Sequence, residues 1–440
     1  MKFFTKKTFN SFLFSAIVFS SFSQEIKKGE AYTYARQIVD TMASASMHGR
    51  GYVNGGDSIA ANYLKTEFQK LGLEKFTENY YQTFSFPINT FPGSFFFKII
   101  GNKPLIPGKD FIVSSSSASA NPTIPLHKII FIDSSIFYNA KKMNAILKNK
   151  HLGRSPVAID LKKSNKEIIN FFENKIVTSG PIILLEQKKL THSVSTVVNR
   201  NASIKMLVSD SIDLKKEFKN KKIMYDIENK FIPNHQTQNV IGYIKGSVYP
   251  DSFIVFSAHY DHLGQMGKDV YFPGANDNAS GCAMLLNLAK HYSKPENRPK
   301  CSIAFIAFAG EEVGLLGSKY YTENPLFPLE NIKFEFNMDI MGTGEEGITV
   351  VNGSVFKNEF DKLKQINTEN NFIKDVKIRG KVANSDHYFF SEKGVKAFFI
   401  YTMGGIKAYH DIYDRPETLP LNEFENIFKL ITKFGDYLQN

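Results

Sequence analysis

The sequence predicts an α/β fold, a three-layer sandwich around a mostly parallel sheet, with an inserted β-rich domain. Three observations predict it. From about residue 239 to the C-terminus, strand-like and helix-like segments alternate, and that alternation implies a largely parallel sheet with helices on both faces. The chemistry-bearing residues of that half follow the ends of the strand-like runs, where open parallel sheets build their ligand sites. Between residues 85 and 236 the texture changes to short β-like runs separated by polar, serine-rich stretches, as in a separate β-rich unit.

The elements follow in order. Lys2, Lys6 and Lys7 precede an apolar run at 12–19, and Ser21 and Ser23 are small residues before Gln24. That is the pattern of a secretory signal peptide over residues 1–23, so the chain is expected to be exported to a periplasm or the exterior. The run is too short to span a bilayer, and no later stretch reaches the ~18 apolar residues of a spanning helix, so no stable membrane insertion is expected. Removing three lysines lowers the formal charge of +11 to +8. Surface solvation accounts for that excess, and it gives no ground for a nucleic-acid partner. Residues 29–47 and 57–72 read as helices; the second repeats Ile59, Tyr63, Leu64, Phe68 and Leu71 at helical spacing before Gly72. Residues 24–84 are thus the N-terminal part of the main domain, 85–236 the insert, and 237–440 the part that carries the chemistry. In the insert, runs at 95–100, 128–132 and 181–185 read as strands.

Beyond the insert, strands are expected at 251–257, 302–308, 332–338 and 396–401, and helices at 279–292, 313–321, 355–368, 386–393 and 421–438. After the first strand comes Ser257-Ala-His-Tyr-Asp-His262, and before its helix Gly274-Ala-Asn-Asp-Asn-Ala-Ser-Gly281. The second is followed by Phe308-Ala-Gly-Glu-Glu312, the third by Asp339, the last by a loop reaching Ala408-Tyr-His-Asp411. The chain has only two cysteines, which excludes a disulfide-built scaffold, a Cys-rich zinc fold and an iron–sulfur protein. Metal chemistry must therefore use His and carboxylates. His259, Asp277, Glu312, Asp339 and His410 form such a set, suited to Zn²⁺ and also to Mn²⁺ or Co²⁺. Five ligands serve two metals if one carboxylate bridges. Asp261 is spaced to orient the His259 imidazole, and since Glu311 and Glu312 are adjacent and their side chains diverge, one can bind metal while the other acts as general base. Singly, each has a plain structural explanation: a surface pairing, a solvated helix start, a helix cap. All five at strand ends together do not.

On these blocks, with Val313-Gly-Leu-Leu-Gly-Ser318, Ser385-Asp-His387 and Asp414, residues 239–440 resemble the di-zinc exopeptidases of metallopeptidase family 28, which include secreted aminopeptidases. Gly49-Arg-Gly51 and Leu71-Gly-Leu73 are similar to the family's N-terminal part. The insert sits where many members carry a protease-associated domain. The resemblance implies two zinc ions bridged by Asp277, with His259 and Asp339 completing one and Glu312 and His410 the other. It implies Glu311 as base and acid, Asp261 in support of His259, and a Tyr409 hydroxyl on the tetrahedral oxyanion. It also implies a cis peptide after Asp277, and peptide substrates with a free amino terminus read by Asp339 and Glu311.

Two relatives of the same fold are alternatives. A glutaminyl-peptide cyclase uses one zinc and a tryptophan-lined pocket, whereas this chain has no tryptophan. A non-catalytic binding relative has lost ligands that are all present here. A carboxypeptidase needs a basic pocket, for which Arg379, Lys381 and Lys407 have no motif context. His387 reads as a supporting or capping residue, His262 as solvated or at the metal edge. Cys282 and Cys301 are expected at opposite sheet edges, about 20 Å apart, beyond disulfide reach, as two buried free thiols. Side-chain preference and oligomeric state are not encoded in any motif.

Overall fold

The computed structural model describes residues 29–120, 128–178, 180–219 and 221–440; the predicted signal peptide lies outside the described residues. Eight strands form the large sheet. From one edge they are Tyr81–Thr90, Lys230–Ile244, Cys301–Phe308, Tyr249–His259, Ile332–Met338, Ala397–Met403, Gly347–Val351 and Val376–Ile378. The four central strands, Cys301–Phe308 to Ala397–Met403, run parallel, and antiparallel neighbours flank them.

The central strands are buried on both sides, as near-continuous apolar runs should be. Their side chains alternate between two cores. Ile254, Phe256, Ala258, Ile303, Phe305 and Ala307 face helices Glu30–Met42, Gly56–Lys70, Gly281–Ser293, Lys357–Asn370 and Phe424–Leu438. Phe253, Val255, Ala304, Ile306 and Phe308 face the other layer, with Tyr321 of Leu316–Glu323 and Phe390 of His387–Glu392. These are the three expected layers.

Four strands of this sheet were not read from the sequence. Lys230–Ile244 is solvated along its first half and contains Pro233, so it lacks an apolar signature. Tyr81–Thr90 is an edge strand with Pro87 in it, Gly347–Val351 follows two glutamates, and Val376–Ile378 is three residues long. The expected insert limits meet in one ladder: Ser85 is the cross-strand partner of Gln236. Pairing continues to Thr90 and Lys230, where the chain leaves and re-enters the large sheet.

Between those points lies a second sheet of five strands. Ile130–Ile132, Val157–Asp160, Ile182–Glu186 and Ser203–Leu207 are parallel, and Phe111–Val113 closes the edge antiparallel. Helices Ala140–Leu147 and Lys166–Asn170 lie between successive strands of this sheet, and Leu214–Phe218 follows the last of them. Their core includes Ile159, Leu184, Ile204 and Phe218, and it also takes in Leu263, Met266 and Phe272. Those last three belong to the loop that follows the Tyr249–His259 strand. The insert is therefore packed onto the carboxyl edge of the large sheet, beside the site.

Candidate metal centre

His259 is the last residue of its strand and pairs in register with Phe308, the last of the neighbouring strand. Glu311 and Glu312 follow Phe308 on a turn. Gly314 and Leu315 there take positive φ (105° and 62°), so the helix starts at Leu316 rather than at 313 as expected. The glutamate backbone N–H groups consequently stay outside the helix. The Asp261 carboxylate accepts both, from Glu311 at 3.1 Å and Glu312 at 3.3 Å, and also the Tyr52 hydroxyl at 3.0 Å.

Nδ1 of His259 faces the Asp261 backbone carbonyl at 3.2 Å. A ring nitrogen facing a carbonyl carries the proton, so Nε2 keeps its lone pair. That Nε2 lies 3.4 Å from Asp277 Oδ1 and 3.4 Å from Asp339 Oδ1. His259 Nε2 and Asp339 Oδ1 are buried and have no hydrogen-bond partner. Unpartnered buried acceptors cost free energy, and a shared cation satisfies both. The other oxygen of Asp277, Oδ2, is 3.1 Å from His410 Nε2, which is 3.2 Å from Glu312 Oε2. Asp277 therefore lies between the two histidines, one on each oxygen. The donor set of imidazoles and carboxylates fits zinc. All five residues expected as ligands converge at this point.

The turn that carries Asp277 is held by side chains from distant parts of the chain. Arg50 is fully buried and spends all five donors on backbone carbonyls: Nε on Tyr260, Nη1 on Met42 and Pro273, Nη2 on Gly274 and Asp277. The Asp414 carboxylate accepts the backbone N–H groups of Asn276 and Asp277 at 2.9–3.1 Å. The peptide between Asp277 and Asn278 is cis. Ser385 Oγ donates to Asp339 Oδ2 at 3.1 Å, leaving Oδ1 to face His259.

Burial and charge divide the two glutamates. Burial raises the Glu311 carboxyl well above the ordinary range, and negative Glu312, Asp339 and Asp386 reinforce it against His259. Burial would raise Glu312 too, but His410 and His262 outweigh it and hold Glu312 down at about 2. Burial opposes protonation of His410, yet Glu312 and Asp277 raise it to about 11. Burial would raise Asp277, but the neighbouring His259 and His410 imidazoles outweigh it and hold the carboxyl well below its ordinary range.

Several expectations are sharpened. The Asp261 carboxylate was expected to hold the His259 imidazole; it is 3.8 Å away, farther than the Asp261 carbonyl, and its hydrogen bonds go to the glutamate turn instead. His262 is not solvated. It is fully buried, with Nδ1 2.6 Å from Glu312 Oε1, and it groups with Asp277 and Glu312 closely enough to ligate. His387 is buried against Phe399, with ring centroids 5.5 Å apart; burial lowers its pKa to about 4, and it serves the core. Tyr409 is 46% exposed and stacks on the His410 ring at 3.9 Å, at the solvent side of the site. Cys282 and Cys301 are free and buried. The roles of Arg50 and Tyr52 carry no motif of their own in the sequence. The flanking glycines of Gly49-Arg50-Gly51 were the one available signal for the arginine.

The five candidate ligands all lie within a stretch that matches a known family. Residues 239–435 match the model of Peptidase family M28. A probable zinc metalloprotease of Pyricularia oryzae is 39% identical over 113 residues, 25% of this chain and 22% of that protein. Aminopeptidase YwaD of Bacillus subtilis is 38% identical over 120 residues, 27% of this chain and 24% of that one. The matched stretches thus span about a quarter of the length of these relatives. Among solved structures, a zinc aminopeptidase from Bacillus subtilis superposes with a TM-score of 0.66 at 19% identity, covering 92% of this chain and 94% of its own. An aminopeptidase from Aneurinibacillus sp. strain AM-1 gives 0.61 at 18% identity, covering 92% of both. A peptidase M28 precursor from Shewanella amazonensis gives 0.64 at 16% identity, covering 93% and 96%. At these identities the likeness establishes the fold, insert included.

Proposed function

We propose, from the match of residues 239–435 to the model of Peptidase family M28, that the protein is an exported zinc aminopeptidase that removes N-terminal residues from peptides with a two-metal, glutamate-base mechanism. One observation carries the reading: Asp277 stands between His259 and His410, with Asp339 and Glu312 completing the two sides. In this reading His259, Asp277 and Asp339 hold one zinc, and Asp277, Glu312 and His410 the other. Zinc bound there supplies Lewis acidity toward the scissile carbonyl and acidifies water.

The chain's own residues supply the rest. Glu311 takes a proton from the attacking water, whose oxygen bonds to the scissile carbonyl carbon. Its raised affinity for protons suits that task. Asp261 holds the Glu311 backbone and so aims the base. The Tyr409 hydroxyl donates to the developing oxyanion. When the carbon–nitrogen bond breaks, Glu311 returns the proton to the leaving amine. Asp339 and Glu311 read the substrate's free amino terminus. Of the three cations weighed for a carboxypeptidase pocket, Lys381 pairs with Glu392 and exposed Arg379 donates to the Tyr401 hydroxyl at 3.2 Å, while Lys407 is exposed.

The experiment is a panel of aminoacyl and peptide substrates with free and blocked amino termini, run with and without a chelator. Free-terminus substrates are cleaved and blocked ones are not, chelator abolishes turnover, and zinc restores it. Cyclisation of N-terminal glutamine without peptide cleavage would instead establish the cyclase, and turnover indifferent to chelator would defeat the zinc assignment.

A further inference from the structure

The last histidine of the centre does not sit on a strand. It lies in the irregular segment after Ala397–Met403, which begins with Gly404 and Gly405 at positive φ. His410 itself has φ +55°. A non-glycine residue in that region is strained and keeps the conformation only if its surroundings impose it.

The surroundings come from the insert. Lys189 lies just after the Ile182–Glu186 strand of the second sheet. Its ammonium reaches Asp411 Oδ2 at 2.6 Å and donates to the carbonyls of Lys407 and Tyr409, each at 3.0 Å. All three ammonium donors are therefore committed to one loop. Three residues later the His192 backbone N–H donates to the His410 carbonyl at 2.8 Å. The His192 ring stacks on Phe272 at 4.8 Å, within the core that joins insert to main body. Asp411 is 5% exposed and Lys189 39%, so the pair is shielded from solvent on the Asp411 side only.

We infer that Lys189 is a positioning residue for the His410 side of the metal centre: the insert sets the affinity of that one zinc by holding the 407–411 loop in place. This rests on the zinc reading above. The insert is then part of the active centre's support, and its docking and the filling of one metal position are linked.

The test is zinc titration of the full chain against a competing chelator, without substrate. Wild type takes up two ions. Lys189→Met weakens one of them by about 10–100-fold, the usual cost of losing a group that orients a ligand, and leaves the other unchanged. Lys189→Arg restores most of the loss. In a His410→Ala background, which already lacks that site, Lys189→Met has no further effect on zinc uptake. Equal weakening of both ions, or two ions held as tightly as in wild type, would overturn the inference while leaving the zinc reading intact. A wild-type chain that binds no zinc would overturn both.

Discussion

Glu311 and Glu312 are neighbours on one turn with opposite electrostatic fates. Glu312 is flanked by His262 and His410 and held ionised; Glu311 is buried among other carboxylates and held proton-avid. Neighbouring carboxyl groups driven apart in this way are a mark of divided labour. The sequence supplied the pair and its place after a strand. Only the family resemblance assigned a role to each member; the local pattern does not, because the difference depends on two imidazoles far away in the chain. Glu311→Gln is expected to keep two zinc ions per chain and to lose turnover by roughly 10²–10⁴-fold. Metal analysis beside kcat checks it, and a variant with wild-type kcat would remove Glu311 from its role.

At the scale of elements, turns rather than helices or strands carry the centre. The helix expected from 279 begins at Gly281 because the residues before it form an irregular turn, with Asp277 and Asn278 outside helical geometry. The helix expected from 313 begins late for the same reason. Periodicity locates the regular elements to within a few residues, but it is blind to segments whose conformation is fixed from outside. Arg50 is the clearest such outside agent, binding five carbonyls in three separate stretches of chain. Arg50→Met strands those buried carbonyls, at about 1–3 kcal/mol for each group left unsatisfied. The expected result is a loss of about 3 kcal/mol or more in unfolding free energy by denaturant titration, together with weakened zinc binding. An unchanged midpoint would show that the turn is held without it.

Across the whole molecule, the parallel sheet separates the two cysteines and gathers the five candidate ligands. Cys282 lies early in the Gly281–Ser293 helix, its Sγ 3.2 Å from the His259 carbonyl near the site. Cys301 opens the neighbouring strand at the far edge. Thiol titration of the denatured, unreduced protein is expected to give two free thiols per chain; none would contradict this topology. The same geometry explains why the insert matters. It departs from one sheet edge at Thr90, returns at Lys230, and yet packs over loops at the carboxyl ends of the central strands.

The sequence by itself determined the α/β class, the parallel centre of the sheet and the five residues that converge. Those features are written in local patterns: apolar runs that repeat, glycine-rich turns, and imidazoles or carboxylates placed just after strands. Tertiary structure decided the rest. It gave the Asp261 carboxylate to the glutamate turn, placed His262 on Glu312 at the metal edge rather than in solvent, and fastened the His410 loop to Lys189, 221 residues earlier in the chain. Such pairings leave no local trace, because a hydrogen bond or ion pair between distant segments depends on where the folded sheet carries each end.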